Sequence, residues 1–485
     1  MERPLLALFT NRYRYILGVL LFVLLFVGVL FLSYKVPGQL SNPEVQSAVQ
    51  SATFSLSHPS TQAIIDLPYH LLQKASLHFF GLTDFAIILP SLILGLLAGL
   101  GILWLLQCWL RRTSIALFAS GIAVTSSQFI FVAAGGTPLI MPLFWLVILL
   151  LLALKLSANN RSLLWSLGVG VTVGLSFYSP LTIYFLVSLL LAVILHPHLR
   201  YLLRTIPKKH IAYSLLVSLI ILIPLIISLI KHPDIANTLA GWPGIAGGLG
   251  QLKFNIIELA KGYLLFWEPS LTVLGLTPFF GLGAFCLIIF GGLKLIVDHH
   301  AARSYSLAVM APVMVVPVIL QPQYAIILFL PLILLLAIGI EGLLDEWYKL
   351  FPHNPYARVV ALVPVIILLM GIIVSNVNYF TGGYRYSTQL PYYYTQDLTL
   401  IRPLVQKYPD ALIVAPYNQQ PFYNLLERQY PRLQTTQSLG TLTPRRPIII
   451  TTGTGAETNN LGPIKVIVTD SYRYHQPRFY VYIPR

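Results

Sequence analysis

The chain has 485 residues, 56% hydrophobic and only 10% charged, with a formal net charge of +15. A soluble globular chain carries roughly 25% charged residues, so this composition excludes an ordinary soluble enzyme. The positive balance calls for no nucleic-acid partner: much of it flanks apolar runs, where it favours anionic lipid headgroups.

In chain order, eleven apolar runs approach the roughly 17 to 25 residues that cross a bilayer core. They are 14–33, 85–109, 114–133, 138–155, 162–178, 180–195, 211–230, 271–296, 305–320, 324–342 and 358–377. The pair around Tyr178-Ser179-Pro180 also suits one re-entrant unit, so the count is good to about two. The first run follows basic residues but is long and has no small-residue cleavage site, and so reads as an uncleaved first helix. The two cysteines, Cys108 and Cys286, lie inside apolar runs and imply no disulfide framework.

Orientation follows from Lys and Arg. Fifteen of the 31 fall in one alternating set of flanks, five in the other before residue 378, and eleven in the tail beyond. That bias predicts a cytoplasmic N-terminus, with loop 34–84, loop 231–270 and the tail outside. The expected division is a membrane domain over 1–378 and an extracytoplasmic domain over 379–485.

Loop 34–84 carries Glu44, Asp66, Asp84, His58, His70 and His78, in a chain with only 16 acidic residues. Residues 41–52 read as a surface helix with Asn42 as cap, Pro43 in its first turn and Val45, Ala48, Val49 and Ala52 on one face. Glu44 then serves either the helix dipole or a substrate. Residues 60–79 form a second amphipathic stretch that Pro68 would bend. Asp66 is either a turn residue before that proline or a functional acid. Loop 231–270 combines glycines (Gly241, Gly244, Gly247, Gly248) with a helix-like stretch holding Asn255, Glu258, Lys261 and interfacial aromatics. It suits a mobile flap or an ordinary interfacial loop.

In the tail, helices are predicted at 397–408 and near 420–429. Strands are predicted at 411–415, 447–451, 464–468 and 478–483, the last as an edge strand. No metal-ligand spacing, P-loop or dinucleotide-binding glycine pattern occurs there. The fold class is therefore mainly α: a polytopic membrane protein with external amphipathic helices and a small C-terminal α/β domain.

Three phrases carry a resemblance. The first is Asn42-Pro43-Glu44-Val45-Gln46-Ser47-Ala48, followed by Asp66-Leu67-Pro68-Tyr69. The second is Phe80-Gly81-Leu82-Thr83-Asp84-Phe85-Ala86-Ile87-Ile88-Leu89-Pro90-Ser91, leading into the second span. The third is Ser126-Ser127-Gln128-Phe129 with Gly136-Thr137-Pro138. With the layout of residues 10–380, they resemble the GT-C class of membrane glycosyltransferases. More narrowly, they resemble the protein O-mannosyltransferase and aminoarabinose-transferase type called family 39.

The resemblance implies a sugar donor on polyprenyl phosphate, a protein, glycolipid or wall-polymer acceptor, and a place in the plasma (inner) membrane. It implies an inverting transfer with Glu44 or Asp66 as general base. Lys35, His58, Tyr69, His70, Lys74, Lys231, His232, Glu258 and Lys261 are the candidates for holding substrate and its phosphate. A divalent cation is a possible cofactor, although no ligand spacing demands one. Two departures stand out: the family's arginine is replaced by Ile88, and a further basic residue is missing near Ala133-Ala134. Lys35, Lys74, Lys231 or Lys261 would have to substitute. Two alternatives remain. A lipid-linked sugar transporter would need charges or broken helices at mid-membrane. A catalytically degenerate scaffold would bind lipid without turnover.

Overall fold

The computed structural model describes residues 16, 18–31, 40–54, 64–242, 248–267, 270–272, 275–297, 301–350, 355–384, 393–437, 446–452, 464–470 and 476–483. The chain divides into two compact units. One comprises residues 1–36, 64–68 and 91–387, and the other 37–63, 69–90 and 388–485. Most of the first loop thus packs with the tail.

The helical unit is that of a multi-pass membrane protein, and each of the eleven apolar runs carries a helix. Six helices are long and apolar enough to cross a membrane unaided: α4 (Asp84–Leu110), α7 (Ile140–Ala158), α11 (Lys208–Lys231), α15 (Ala302–Leu320), the stretch ending in α16 (Phe329–Leu350), and α17 (Pro355–Asn378). Two more qualify as bent pairs. These are α5 (Thr113–Thr125) with α6 (Ser127–Ala134), bent by 63°, and α9 (Thr182–Leu195) with α10 (Pro197–Thr205), bent by 101°. Three are shorter: α1 (Gly18–Phe31), α8 (Leu163–Ser176) and α14 (Leu282–Val297). The second bend follows from Pro197, which pushes His196 out of helical geometry. The run expected at 271–296 is helical only from Leu282. Its first part forms an antiparallel hairpin of β2 (Ser270–Thr272) and β3 (Gly275–Thr277), because Gly275, Pro278 and Gly281 interrupt the helical pattern.

Glycine sets the closest helix contact. A Cβ on Gly291 of α14 would meet the Leu335 carbonyl oxygen at 1.9 Å, and one on Gly339 of α16 would meet that of Leu287 at 2.0 Å. Small residues allow membrane helices to pack backbone to backbone in this way. Helix α11 exposes Leu215, Leu216, Leu219, Ile220 and Ile223, an outer face suited to lipid.

In the second unit, α2 (Asn42–Thr53) and α3 (Leu67–Phe80) join a small α/β domain. Its elements are β4 (Tyr394–Thr395), α18 (Asp397–Lys407), β5 (Leu412–Val414), α19 (Gln420–Gln429), β6 (Gln434–Thr436), β7 (Ile448–Thr451), β8 (Ile464–Asp470) and β9 (Gln476–Tyr482). A short β1 (Leu40–Ser41) pairs antiparallel with β4, which ties the first loop to the tail. The sheet order is β6-β5-β7-β9-β8, with β5 parallel to both β6 and β7. The terminal strand β9 is therefore interior rather than an edge: Phe479 and Val481 are buried, whereas β8, mostly exposed, takes the edge. The domain holds a buried ion pair, with Arg478 Nε donating to Asp397 Oδ1 at 2.6 Å and Nη2 to Oδ2 at 2.5 Å.

Candidate active site

The two candidate carboxylates belong to different units and sit in different surroundings. Glu44 lies in the first turn of α2, whose cap is Ser41 rather than the expected Asn42. The side chain turns back on that cap: Oε2 accepts from the Ser41 backbone N–H at 2.5 Å and from its hydroxyl at 2.8 Å. Glu44 is 4% exposed. This geometry satisfies an otherwise open helix terminus.

Asp66 belongs to the helical unit. It precedes α3 in the left-handed region at φ 53, a conformation that Asp and Asn tolerate better than most residues. Pro68 falls in the first turn of α3 and starts the helix instead of bending it, because a proline there forfeits no helical hydrogen bond. The Asp66 backbone N–H donates to the Tyr178 carbonyl at 2.8 Å, and its Oδ1 accepts from the Ser179 hydroxyl at 2.6 Å. Ile64 packs with Tyr178, Leu225 and Ile235 and anchors the strap. Asp66 is 3% exposed. Burial pushes its carboxyl up from 3.8 to about 7, with the Ser179 hydrogen bond opposing. Tyr324 stands within electrostatic reach. Near neutrality this carboxyl exchanges a proton readily, as a general base must.

The partner of Asp66 comes from the break between α8 and α9. Leu181 there has φ 62, and its N–H donates to the Leu239 carbonyl at 2.9 Å. The Ser-Pro pair at the junction of two apolar runs marks this break, but nothing in the sequence connects it with Asp66, 113 positions earlier.

His70, Tyr69 and Lys74 fall in the second unit. The single Ser51 hydroxyl proton goes to Gln73 Oε1 at 2.6 Å, so the 2.8 Å contact between Ser51 Oγ and His70 Nδ1 makes Nδ1–H the donor. Burial lowers the imidazole to about 4 and keeps it neutral. Gln73 also accepts from Ser47 and donates to the Ile87 carbonyl, so His70 belongs to a buried network joining α2 to α3. Tyr69 is fully buried. Lys74 donates to the Phe54 carbonyl at 2.5 Å.

Lys231 and His232 are exposed at the end of α11. Glu258 and Lys261 pair at 2.8 Å on α13 (Gly248–Leu264). Lys35 and His58 lie outside the described residues. So do Gly244 and Gly247 of the expected flap; Gly248 begins α13. Among the described residues, no three His, Cys, Asp or Glu side chains gather as a metal set.

The sequence phrase Ser126-Ser127-Gln128 marks the break between α5 and α6. Ser126 is extended, and its hydroxyl donates to the Ala123 carbonyl at 2.7 Å. Gln128 is buried, and its Oε1 has no hydrogen-bond partner among the described residues. Ala133, near which the resemblance calls for a basic residue, is fully buried, and a Cβ on Gly95 would meet its Cβ at 2.6 Å.

Residues 67–227 match the family model described as dolichyl-phosphate-mannose-protein mannosyltransferase. ArnT from Cupriavidus metallidurans bound to undecaprenyl phosphate aligns with 96% of this chain and 97% of its own, at TM-score 0.55 and 13% identity. The chain shares the fold of this ArnT, and the family match is consistent with the GT-C, family-39-like resemblance. The apo ArnT structure aligns over the same shares, at TM-score 0.50 and 13% identity. The apo oligosaccharyltransferase of Archaeoglobus fulgidus aligns with 87% of this chain at TM-score 0.52 and 12% identity. The chain spans 64% of that protein's length. No curated protein matches the chain by sequence.

Proposed function

We propose that this protein is a glycosyltransferase that moves a sugar, mannose-like or related, from a polyprenyl-phosphate donor to an acceptor hydroxyl, with Asp66 as general base. The observation that carries the reading is a buried carboxylate, held in a left-handed turn by Ser179, that gains its proton at about 7. The match over residues 67–227 and the fold shared with an undecaprenyl phosphate-binding ArnT support the donor class.

In this scheme the acceptor oxygen attacks the sugar carbon opposite the phosphate. The new O–C bond forms as the C–O bond to phosphate breaks, so the configuration inverts. The acceptor proton passes to Asp66 and the bonding pair leaves with polyprenyl phosphate. Lys231, exposed in the same unit, is the cation proposed to meet that phosphate. A divalent cation is a further candidate for this task. Glu44 is committed to its helix cap and is the second candidate base. The site faces the extracytoplasmic side of the plasma (inner) membrane in the orientation set by the positive-inside bias.

The test is release of polyprenyl phosphate by reconstituted protein given radiolabelled polyprenyl-phosphate mannose and related donors. Turnover that vanishes in Asp66→Asn supports the assignment. Saturable donor binding without turnover of any donor in wild type would instead mark a degenerate scaffold.

A further inference from the structure

At one end of the helical unit, a cavity of about 330 Å³ opens among the last turn of α4, the last turn of α14, the first turn of α15 and the facing side of α16. Its polar lining is Trp109, Lys294, Arg303, Ser304 and Glu341. None of these takes part in the site built around Asp66.

Two features point to an anion. Trp109 is buried at 6% exposure, and its indole Nε1, a donor only, has no hydrogen-bond partner among the described residues. Arg303 spends Nη1 on the Trp109 carbonyl at 3.0 Å and has no carboxylate within ion-pair distance among the described residues. The remaining charges are mutually engaged. Asp345 accepts from Arg112 at 2.7 Å and from Lys294 at 3.0 Å, and Glu341 lies 3.6 Å from Arg112. Arg112, Lys294 and Arg303 against Glu341 and Asp345 leave one positive charge over. Leu110, Leu295 and Ile338 supply apolar wall beside these donors.

We propose that this cavity binds the phosphodiester headgroup of an anionic membrane phospholipid. The shared chemistry is a phosphate oxygen received by the Arg303 guanidinium and the Trp109 indole N–H. A lipid is favoured over free phosphate because the cavity lies at the ends of membrane helices, where basic pockets meet headgroups, and because its apolar wall continues the donor set. A single negative charge matches the excess.

The experiment uses purified full-length protein in neutral detergent. It follows the thermal-unfolding midpoint while dioleoylphosphatidylglycerol, dioleoylphosphatidylcholine or inorganic phosphate is added. Phosphatidylglycerol is expected to raise the midpoint saturably and phosphatidylcholine to leave it unchanged. Arg303→Gln should raise the half-saturating concentration by about tenfold, as loss of a charge-assisted hydrogen bond does. Trp109→Phe, which keeps the ring and removes only the N–H, should raise it severalfold and keeps the test open if Arg303→Gln does not fold. Lys349→Gln, a cation of α16 outside the cavity, should behave as wild type. An equal response to phosphatidylcholine, saturation by inorganic phosphate alone, or unchanged half-saturation in both cavity variants would overturn the proposal.

Discussion

Asp66→Asn should stabilise the folded protein above neutral pH while abolishing sugar transfer. The gap between an ordinary aspartate at 3.8 and about 7 here is worth about 4 kcal/mol against the charged form. Some relaxation around the charge trims the expected effect to about 2 to 4 kcal/mol. Asparagine keeps an oxygen to accept from Ser179 and suits the left-handed turn, so the variant loses little else. The sign follows from proton binding. Below about pH 4 the aspartate is protonated in both folded and unfolded chains, and the two proteins should be equally stable. From about pH 4 to about pH 7 the unfolded chain ionises first, so wild type falls behind the variant, and above about pH 7 the difference stays constant. Thermal midpoints of both proteins in detergent across this range measure it. A variant less stable than wild type at about pH 8, or a difference that does not change with pH, would mean that the folded protein does not hold the Asp66 proton toward neutrality.

Other consequences are open to direct measurement. Transfer should rise with pH through about 7 as Asp66 deprotonates, and Ser179→Ala should move that limb alkaline by about one pH unit, since the hydroxyl favours the charged form; an unmoved limb would show that another group is titrating. Gly339→Ala should destabilise the helical unit by about 1 to 3 kcal/mol or more, because its methyl meets the Leu287 carbonyl. Gly292→Ala, which meets open space, should be neutral, and equal midpoints for the two variants would count against the close packing. Asp397→Asn should cost the C-terminal domain about 3 to 5 kcal/mol by leaving Arg478 buried without its counter-charge, and limited proteolysis of the tail should report it. Arg478→Lys should fail to restore the two-pronged contact.

The sequence made the helices legible because apolar length is a strong signal, and each apolar run does carry a helix. The bends were legible only in part. The α5–α6 break depends on Ser126 trading its helical geometry for a local hydrogen bond, which composition does not reveal. The tail's elements followed from alternation and caps. Strand order did not, since β9 alternates as an edge strand would yet lies between β7 and β8. Asp66 stood out as an acid before a proline. Its partner Ser179 did not, because the contact is made by tertiary folding between distant segments. His70 invites a substrate role by residue type, but Ser51 engages it in a buried network that joins two helices.

The most direct measurement is turnover of a polyprenyl-phosphate sugar by wild type, Asp66→Asn and Glu44→Gln, each reconstituted and each checked for donor binding. Asp66→Asn is expected to bind donor and release no polyprenyl phosphate, whereas Glu44→Gln retains transfer in proportion to its folded fraction. Wild-type rates in Asp66→Asn, or loss of chemistry confined to a fully folded Glu44→Gln, would contradict Asp66 as the base.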